Sequence, residues 1–378
     1  MWESRLRTLI EASAAFNQGA GIGRYARNII SRLIDRDEGD SWTLVYAPDG
    51  DSDPSCSSTL LRPGVKAVRL PLSRRNADRL WFRLRVPLDV RLLAGGADVV
   101  YSPDFTAPPM AGAPRMVTVH DLAFLTHPEQ TTDALRRFLE AVVPRQVERA
   151  DRVAVVSEAT GEDVVRLLGV SREQVIVARN GVDARFYGAR PLDDIAKKRL
   201  GLPERYLLMV GTIEPRKNHL NAMRAHFASG VEAPLVICGK VGWGCDDAMT
   251  EMRRMQDRGR VIFLDYVPDD DLPGLYAGAA GLLYPSWTEG FGLPVAEALA
   301  SGIPVITGTA PALREVGGPE AMYVAPGDID GMVRLIRDVA HQTSTEIDRD
   351  RRRTWTRQFS WDSSTSIVFE SLKDLSRA

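Results

Sequence analysis

Ser286-Trp-Thr-Glu-Gly-Phe-Gly-Leu-Pro-Val-Ala-Glu297 places two carboxylates, Glu289 and Glu297, on either side of a glycine-rich turn that runs into a helix. At Gly290 and Gly292 the backbone can approach a ligand with no Cβ in the way. Pro294 suits the first helical position, residues 296–300 are strong helix formers, and Gly302 is placed to end the helix in a left-handed conformation. The apolar runs 279–284 and 303–306 read as buried strands. The stretch is therefore strand, loop, short helix, strand, and the N-terminus of that helix is an anion site. Carboxylates beside an anion site are not there to hold the anion and are better explained as acceptors for hydroxyl groups. A phosphate with hydroxyls on both sides is a sugar nucleotide. The eight-residue offset supports this, because on one continuous helix it would turn about 800°, roughly 80° off register. The glutamates make sense as one loop residue and one first-turn residue converging on a ligand.

Working outward, short apolar runs alternate with helical patterns twice over. The first half has strands near 7–14, 42–47, 65–70, 98–102, 116–118, 152–156 and 174–177, with helices at 23–34, 132–150 and 158–168. The second has strands near 206–210, 235–238, 261–263, 281–284, 304–307 and 321–324. Both halves read as doubly wound parallel α/β sheets. The 378-residue length suggests two domains, one over 1–187 and one over 188–357, divided in the polar stretch 186–202. Ligands of such sheets bind at the carboxyl ends of the strands, so the expected site is a cleft between two sheets.

Composition excludes several classes. Hydrophobic residues at 44% and charged residues at 26% are those of a globular protein. A net charge of −2 gives no reason to expect nucleic acid as a partner. Cys56, Cys238 and Cys245 lack metal spacing and read as reduced thiols of a cytoplasmic protein. No apolar run approaches a membrane span, and the first residues lack the apolar core of a signal peptide.

Other motifs fall at expected strand ends. Val210-Gly-Thr-Ile-Glu-Pro-Arg-Lys-Asn-His219 follows a strand and opens a helix near Asn218. Arg216 and Lys217 at that helix N-terminus call for an anion, and a diphosphate supplies one. Asn17-Gln-Gly-Ala-Gly-Ile-Gly-Arg-Tyr25 follows the first strand; Gly21, Gly23 and Ala26 fit G-x-G-x-x-G/A, a weak dinucleotide signal by itself. His120, in Val119-His-Asp-Leu-Ala-Phe124, sits at a strand's carboxyl end, with Asp121 placed to cap the following turn. Asp269-Asp-Asp271 precedes a helix and reads as an N-cap with dipole-stabilised acids. Asp51-Ser-Asp53 matches D-x-D but lies in a Ser/Pro-rich loop and is assigned no function. Metal ligands are therefore none, and no cofactor is expected.

Residues 69–91 hold seven arginines and two aspartates among Leu80, Trp81, Phe82, Leu84 and Val86. Two readings stand side by side: a segment lying on an anionic membrane surface, with Arg74, Arg75, Arg79, Arg83 and Arg85 facing lipid, or an arginine-rich helix with one buried face.

The run Glu289-Gly-Phe-Gly-Leu-Pro-Val-Ala-Glu297 resembles the signature of the family 4 retaining glycosyltransferases, which have the GT-B fold of two Rossmann-like domains facing across a cleft. The resemblance spans both halves. It implies that residues 358–378 pack back on the first domain, with Phe359, Trp361, Ile367 and Phe369 as anchors. It implies catalytic roles for His120, Glu289, Lys217 and, less directly, Arg216, since many members carry an arginine where this chain has Thr212. Donor-binding positions would be Gly21 and Gly23 from the first domain, then Gly211, Thr212, Gly239, Lys240, Tyr266, Val267, Gly290, Phe291, Gly292, Leu293 and Glu297. Arg24 is read either as a contact to an acceptor phosphate or as an ordinary surface residue. The motifs Gly211-Thr-Ile-Glu-Pro-Arg-Lys-Asn218 and His120-Asp-Leu122 resemble bacterial mannosyltransferases of surface polysaccharide assembly. The implied reaction moves a hexose, mannose from GDP-mannose as the first choice, to a hydroxyl of a glycan or polyprenyl-diphosphate-linked acceptor. It would need no metal, and the protein would be cytoplasmic or peripheral on the inner face of the plasma membrane. A sugar-nucleotide 2-epimerase on the same fold, or an NAD-dependent oxidoreductase using the Gly21 loop, are the alternatives.

Overall fold

The computed structural model of the chain describes residues 6–19, 21–36, 39–49, 59–84, 86, 89–341 and 344–377. Asp51-Ser-Asp53, Cys56, Arg85 and the N-terminal residues read for a signal peptide lie outside the described residues. The chain divides into two compact units. The first comprises 1–125, 137–181 and 360–378; the second comprises 126–136 and 182–359.

The first unit is built on seven parallel strands: β1 (Arg7–Glu11), β2 (Ser41–Tyr46), β3 (Lys66–Arg69), β4 (Val99–Ser102), β5 (Arg115–Val119), β6 (Arg152–Val155) and β7 (Val175–Val177), in the order β3-β2-β1-β4-β5-β6-β7. The second holds β8 (Leu207–Val210), β9 (Leu235–Cys238), β10 (Val261–Phe263), β11 (Gly281–Tyr284), β12 (Val305–Thr307) and β13 (Met322–Tyr323), in the order β10-β9-β8-β11-β12-β13. Both sheets are doubly wound, and each reverses strand order once, between β1 and β4 and between β8 and β11. Helices on both faces leave the central strands β4, β9 and β11 buried throughout, which is why β9 and β11 are uninterrupted apolar runs rather than alternating ones. Leu9, Val45 and Val100 in one cluster of the first unit, and Val117, Val153 and Val175 in another, anchor its core. Leu207, Met209, Ile237, Leu283 and Ile306 do so in the second unit.

The structure departs from sequence expectation in several places. The first strand ends at Glu11, and Ser13–Asn17 is a helical turn rather than more strand. A second helix, Gly21–Ile34, follows. Among the expected C-terminal anchors, Trp361 and Phe369 are buried in the first unit, with Phe369 6.4 Å from the Trp42 ring. Phe359 instead packs edge-on against Phe291 in the second unit, 5.4 Å between centroids, and Ile367 is exposed. The arginine-rich segment is a short helix, Arg74–Asp78, continued by a wider π-type turn, Arg79–Arg83. Arg74 does not face outward. It is drawn in by Asp104 at 3.1 Å and Asp78 at 3.6 Å.

Candidate functional site

In a doubly wound sheet, the strand-order reversal parts the loops on either side of it and opens a crevice at the carboxyl edge. In the second unit that place lies beyond Val210 and Tyr284, the last residues of β8 and β11. The loop after β8 makes a 3-10 turn, Pro215–Lys217, and enters helix His219–Ser229 through Asn218. Asn218 is left-handed at φ 61°, which asparagine tolerates. Its amide donates to the carbonyls of Pro285 (3.1 Å) and Pro326 (2.7 Å), and the Trp287 N–H donates to the Arg216 carbonyl at 2.8 Å. The loops after β8 and β11 are thereby joined.

This junction gathers four charges. Lys217 Nζ donates to Glu289 Oε1 at 2.6 Å and to the Tyr284 hydroxyl, which in turn donates to the same Glu289 oxygen at 2.8 Å. Arg216 donates to Glu289 Oε2 at 2.9 Å and pairs with Glu214 at 2.6 Å. Burial alone would raise the Glu289 carboxyl. The charges of Lys217 and Arg216, with hydrogen bonds from Lys217 and Tyr284, outweigh it and bring the group down to about 2. Lys217 is pulled the other way, because burial and the like charge of Arg216 outweigh Glu289 and Glu214. The ionised pair is the state that satisfies all three donors to Glu289, and we take it as the resident one. The anion that the sequence demanded for Arg216 and Lys217 is thus present within the protein. Arg216, with 22% of its side chain exposed against 10% for Lys217, is the more accessible cation.

Beyond this cluster, Gly292 stands at φ 100° and begins helix Leu293–Ala300 without any side-chain cap. A residue with a Cβ would be strained there and would meet Leu313 at 2.7 Å. Glu297 is 2% exposed and lies in the second turn of this helix, four residues past Leu293, not in the first turn as expected. On the neighbouring strands, Gly239 packs so tightly that a Cβ would sit 2.0 Å from the Gly211 carbonyl. Thr212 and Gly211 occupy the start of the β8 loop, while Lys240 and Tyr266 are exposed beyond β9 and β10, with Val267 buried next to Tyr266. Phe291 and Gly290 are buried in the loop after β11.

Tyr284 and Glu214 are members of the cluster that sequence reasoning missed. Glu214 lay inside a motif already singled out. Tyr284 carried one available signal, a polar handle at the carboxyl end of a fully buried strand.

In the first unit His120 is 8% exposed, its Nε2–H donating to the Pro103 carbonyl at 2.8 Å. That bond selects the tautomer with Nδ1 unprotonated, and burial lowers the ring's pKa so that it stays neutral. Tyr25 and Phe105 meet the ring edge-on. Asp121 accepts from the Ala123 N–H at 3.0 Å, as a cap of the next turn. Gly21 opens its helix ten residues after β1 ends, separated from it by the turn Ser13–Asn17. A dinucleotide fingerprint places its glycines directly after the strand. Gly23 is needed for packing, since a Cβ would lie 1.9 Å from the Gln18 carbonyl. Glu11, at the end of β1, is buried near Arg74 and Asp104, and burial raises its pKa.

The Asp269–Asp271 cluster does not cap its helix through Asp271. Asp271 pairs with Arg199 and Asp270 with Arg185. Among the described residues no three His, Cys, Asp or Glu side chains are grouped to hold a metal ion, and no helix is long and apolar enough to cross a membrane.

Comparison with known proteins follows the same division. Residues 19–186 match the family model described as Glycosyltransferase Family 4, and residues 193–357 match that described as Glycosyl transferases group 1. Over 93% of its length the chain is 27% identical to O-antigen chain mannosyltransferase B of Escherichia coli, covering 96% of that protein. It is 29% identical to O-antigen chain mannosyltransferase RfbU of Salmonella typhimurium over 68% of each chain. Among solved structures, HepE of Anabaena in complex with UDP and glucose superposes with a TM-score of 0.76 at 17% identity, over 98% of this chain and 100% of that one. WaaG, a glycosyltransferase involved in lipopolysaccharide biosynthesis, superposes at 0.68 and 15% identity, over 94% and 95%. At such identities these structures speak to the fold, which is GT-B.

Proposed function

Because this chain belongs to the family 4 glycosyltransferases of the GT-B fold, we propose that it transfers a hexose, mannose from GDP-mannose, to a hydroxyl of a glycan or polyprenyl-diphosphate-linked acceptor in O-antigen-type assembly, with retention of configuration. The mannose choice is supported by the names of the two bacterial relatives, at 27% and 29% identity. The observation that carries the reading is the cluster of Lys217, Arg216, Glu289 and Tyr284 at the strand-order reversal of the second unit, beside the uncapped helix Leu293–Ala300.

In this reading the helix N–H groups and the accessible Arg216 bind the diphosphate, and Lys217 acts on the charge that builds on the leaving phosphate. Preorganised donors of this kind are the largest expected contribution to rate. Glu289 holds both cations in place and is available to a sugar hydroxyl, while Glu297 accepts from the ribose. The acceptor oxygen bonds to the anomeric carbon from the face the phosphate leaves; the C1–O(phosphate) bond breaks, and the acceptor proton passes to the departing phosphate oxygen. No metal is needed, because cations and helix dipole carry the diphosphate charge. His120 of the first unit is neutral with Nδ1 as acceptor, and its assignment to the transferred sugar rests on the family resemblance alone.

The test is a panel of sugar nucleotides incubated with the protein. Slow hydrolysis of GDP-mannose with α-mannose as first product supports the reading. Epimerisation of donor without acceptor favours the isomerase, and reduction of NAD favours the oxidoreductase.

A further inference from the structure

The diphosphate cluster leaves the nucleoside two directions along the carboxyl edge of the second sheet, toward β9 and β10 or toward β12 and β13. Six large apolar residues of this unit are exposed among those described: Leu135, Ile195, Phe227, Val241, Tyr266 and Ile347. Leu135, Ile195, Phe227 and Ile347 lie on helices, whereas Val241 and Tyr266, 50% and 59% exposed, stand beyond the carboxyl ends of β9 and β10. The Lys240 ammonium lies 5.8 Å from the Tyr266 ring centroid. A flat base has a surface to stack on there.

Between Phe263, the last residue of β10, and Tyr266 stands Asp265, with φ 51°. Only Asp265 and Asn218 are non-glycine residues with positive φ among those described, and Asn218 belongs to the diphosphate cluster. The Asp265 carbonyl accepts from the Gly239 N–H at 2.7 Å, which fastens the β10 loop to the β9 loop. Its carboxylate is exposed and has no hydrogen-bond or ion-pair partner among the described residues. The buried Cys238 thiol lies on the same wall. Burial pushes it up to about 11, with the negative charges of Asp265 and Glu297 adding to the rise. One thiol therefore feels both the carboxylate assigned to the ribose and the carboxylate beside Tyr266.

We infer that Asp265 reads the nucleobase and that the base is guanine. Guanine presents two adjacent donors, N1–H and the 2-amino group, which match the two oxygens of a carboxylate. Uracil presents one N–H flanked by carbonyl oxygens, which a carboxylate repels. Adenine and cytosine pair one amino donor with a ring acceptor, and half of the carboxylate goes unused. This rests on the second unit being the nucleotide-sugar site.

Calorimetry of the full chain with GDP, IDP, XDP and UDP, on wild type and Asp265→Asn, tests it. Asparagine accepts the left-handed backbone, so the variant keeps the loop. Wild type should bind GDP more tightly than IDP, which lacks the 2-amino group, and than UDP. D265N should weaken GDP by about 10- to 100-fold and strengthen XDP, because asparagine offers one donor and one acceptor to the N1–H and C2 carbonyl of xanthine. UDP bound more tightly than GDP by wild type would overturn the guanine assignment and leave the transferase reading standing. GDP preferred, with GDP and XDP unchanged in D265N, would overturn the role of Asp265. A folded protein that binds none of the four would overturn the nucleotide-site reading itself, and this inference with it.

Discussion

Lys217 Nζ sits 2.6 Å from Glu289 Oε1, and neither side chain is more than 10% exposed. Removing one partner of a buried pair strands the other charge, at a cost of about 3–5 kcal/mol. Glu289→Ala is the harsher change, because it leaves Lys217 without its carboxylate and Arg216 with Glu214 alone. Lys217→Met leaves the carboxylate with Arg216 and Tyr284 and should cost less. The two changes combined should destabilise by less than their sum. Urea unfolding of the two single variants and the double gives the coupling, and strictly additive losses would contradict it.

Acid should reveal the same carboxylate. Its folded-state pKa of about 2 lies below the ordinary 4.5, so its contribution is present above pH 4.5 and disappears as pH falls toward 2. The size is about 3 kcal/mol. Glu289→Gln has no such proton to take up. The stability gap between wild type and E289Q should therefore narrow between pH 5 and pH 2.5, and a gap independent of pH would mean that Glu289 is not ionised in the folded state.

Lys217→Ala should lower donor turnover by on the order of 10²–10³. Wild-type activity should survive EDTA. Activity abolished by chelation and restored by Mn²⁺ or Mg²⁺ would refute the metal-free diphosphate site.

Glu297→Ala should weaken free nucleoside diphosphate and intact donor alike, by about 1.5–3 kcal/mol. Calorimetry with GDP alone reports on this without any acceptor. Unchanged affinity would remove Glu297 from the ribose.

The arginine-rich segment gives a test of membrane contact. Arg75, Arg79 and Arg83 are exposed and have no carboxylate partner among the described residues, and Leu84, next to Arg83 in the chain, is 69% exposed. Each arginine near an anionic surface contributes about 1 kcal/mol, falling with salt. Arg75→Ser, Arg79→Ser and Arg83→Ser together should abolish sedimentation with phosphatidylglycerol vesicles at low salt and leave donor hydrolysis intact. Wild-type protein that remains in the supernatant would decide against lipid.

Residues 158–168, 235–238, 261–263 and 281–284 were legible to the residue as helix or strand. Buried parallel strands are unbroken apolar runs, and Ser157 caps the helix that follows it, so local chemistry alone marks them. Glu289, Glu297, Lys217 and the glycine turn were likewise visible as motifs, because each needs only its neighbours to be recognised. The first strand was read as far as Ala14, into a helical turn at 13–17, since Ala12, Ala14, Ala15 and Phe16 form an apolar run that has no period of its own. Arg74 turning inward to Asp104, and Phe359 packing on Phe291 while Ile367 stays exposed, could not be read from sequence either. What only the tertiary structure decided was partnership. Lys217, Tyr284 and Glu289 meet because β8 and β11, far apart in sequence, are hydrogen-bonded neighbours in the sheet. Strand order is set by the packing of whole helices and sheets, and no local run of residues encodes which loop its charges will face.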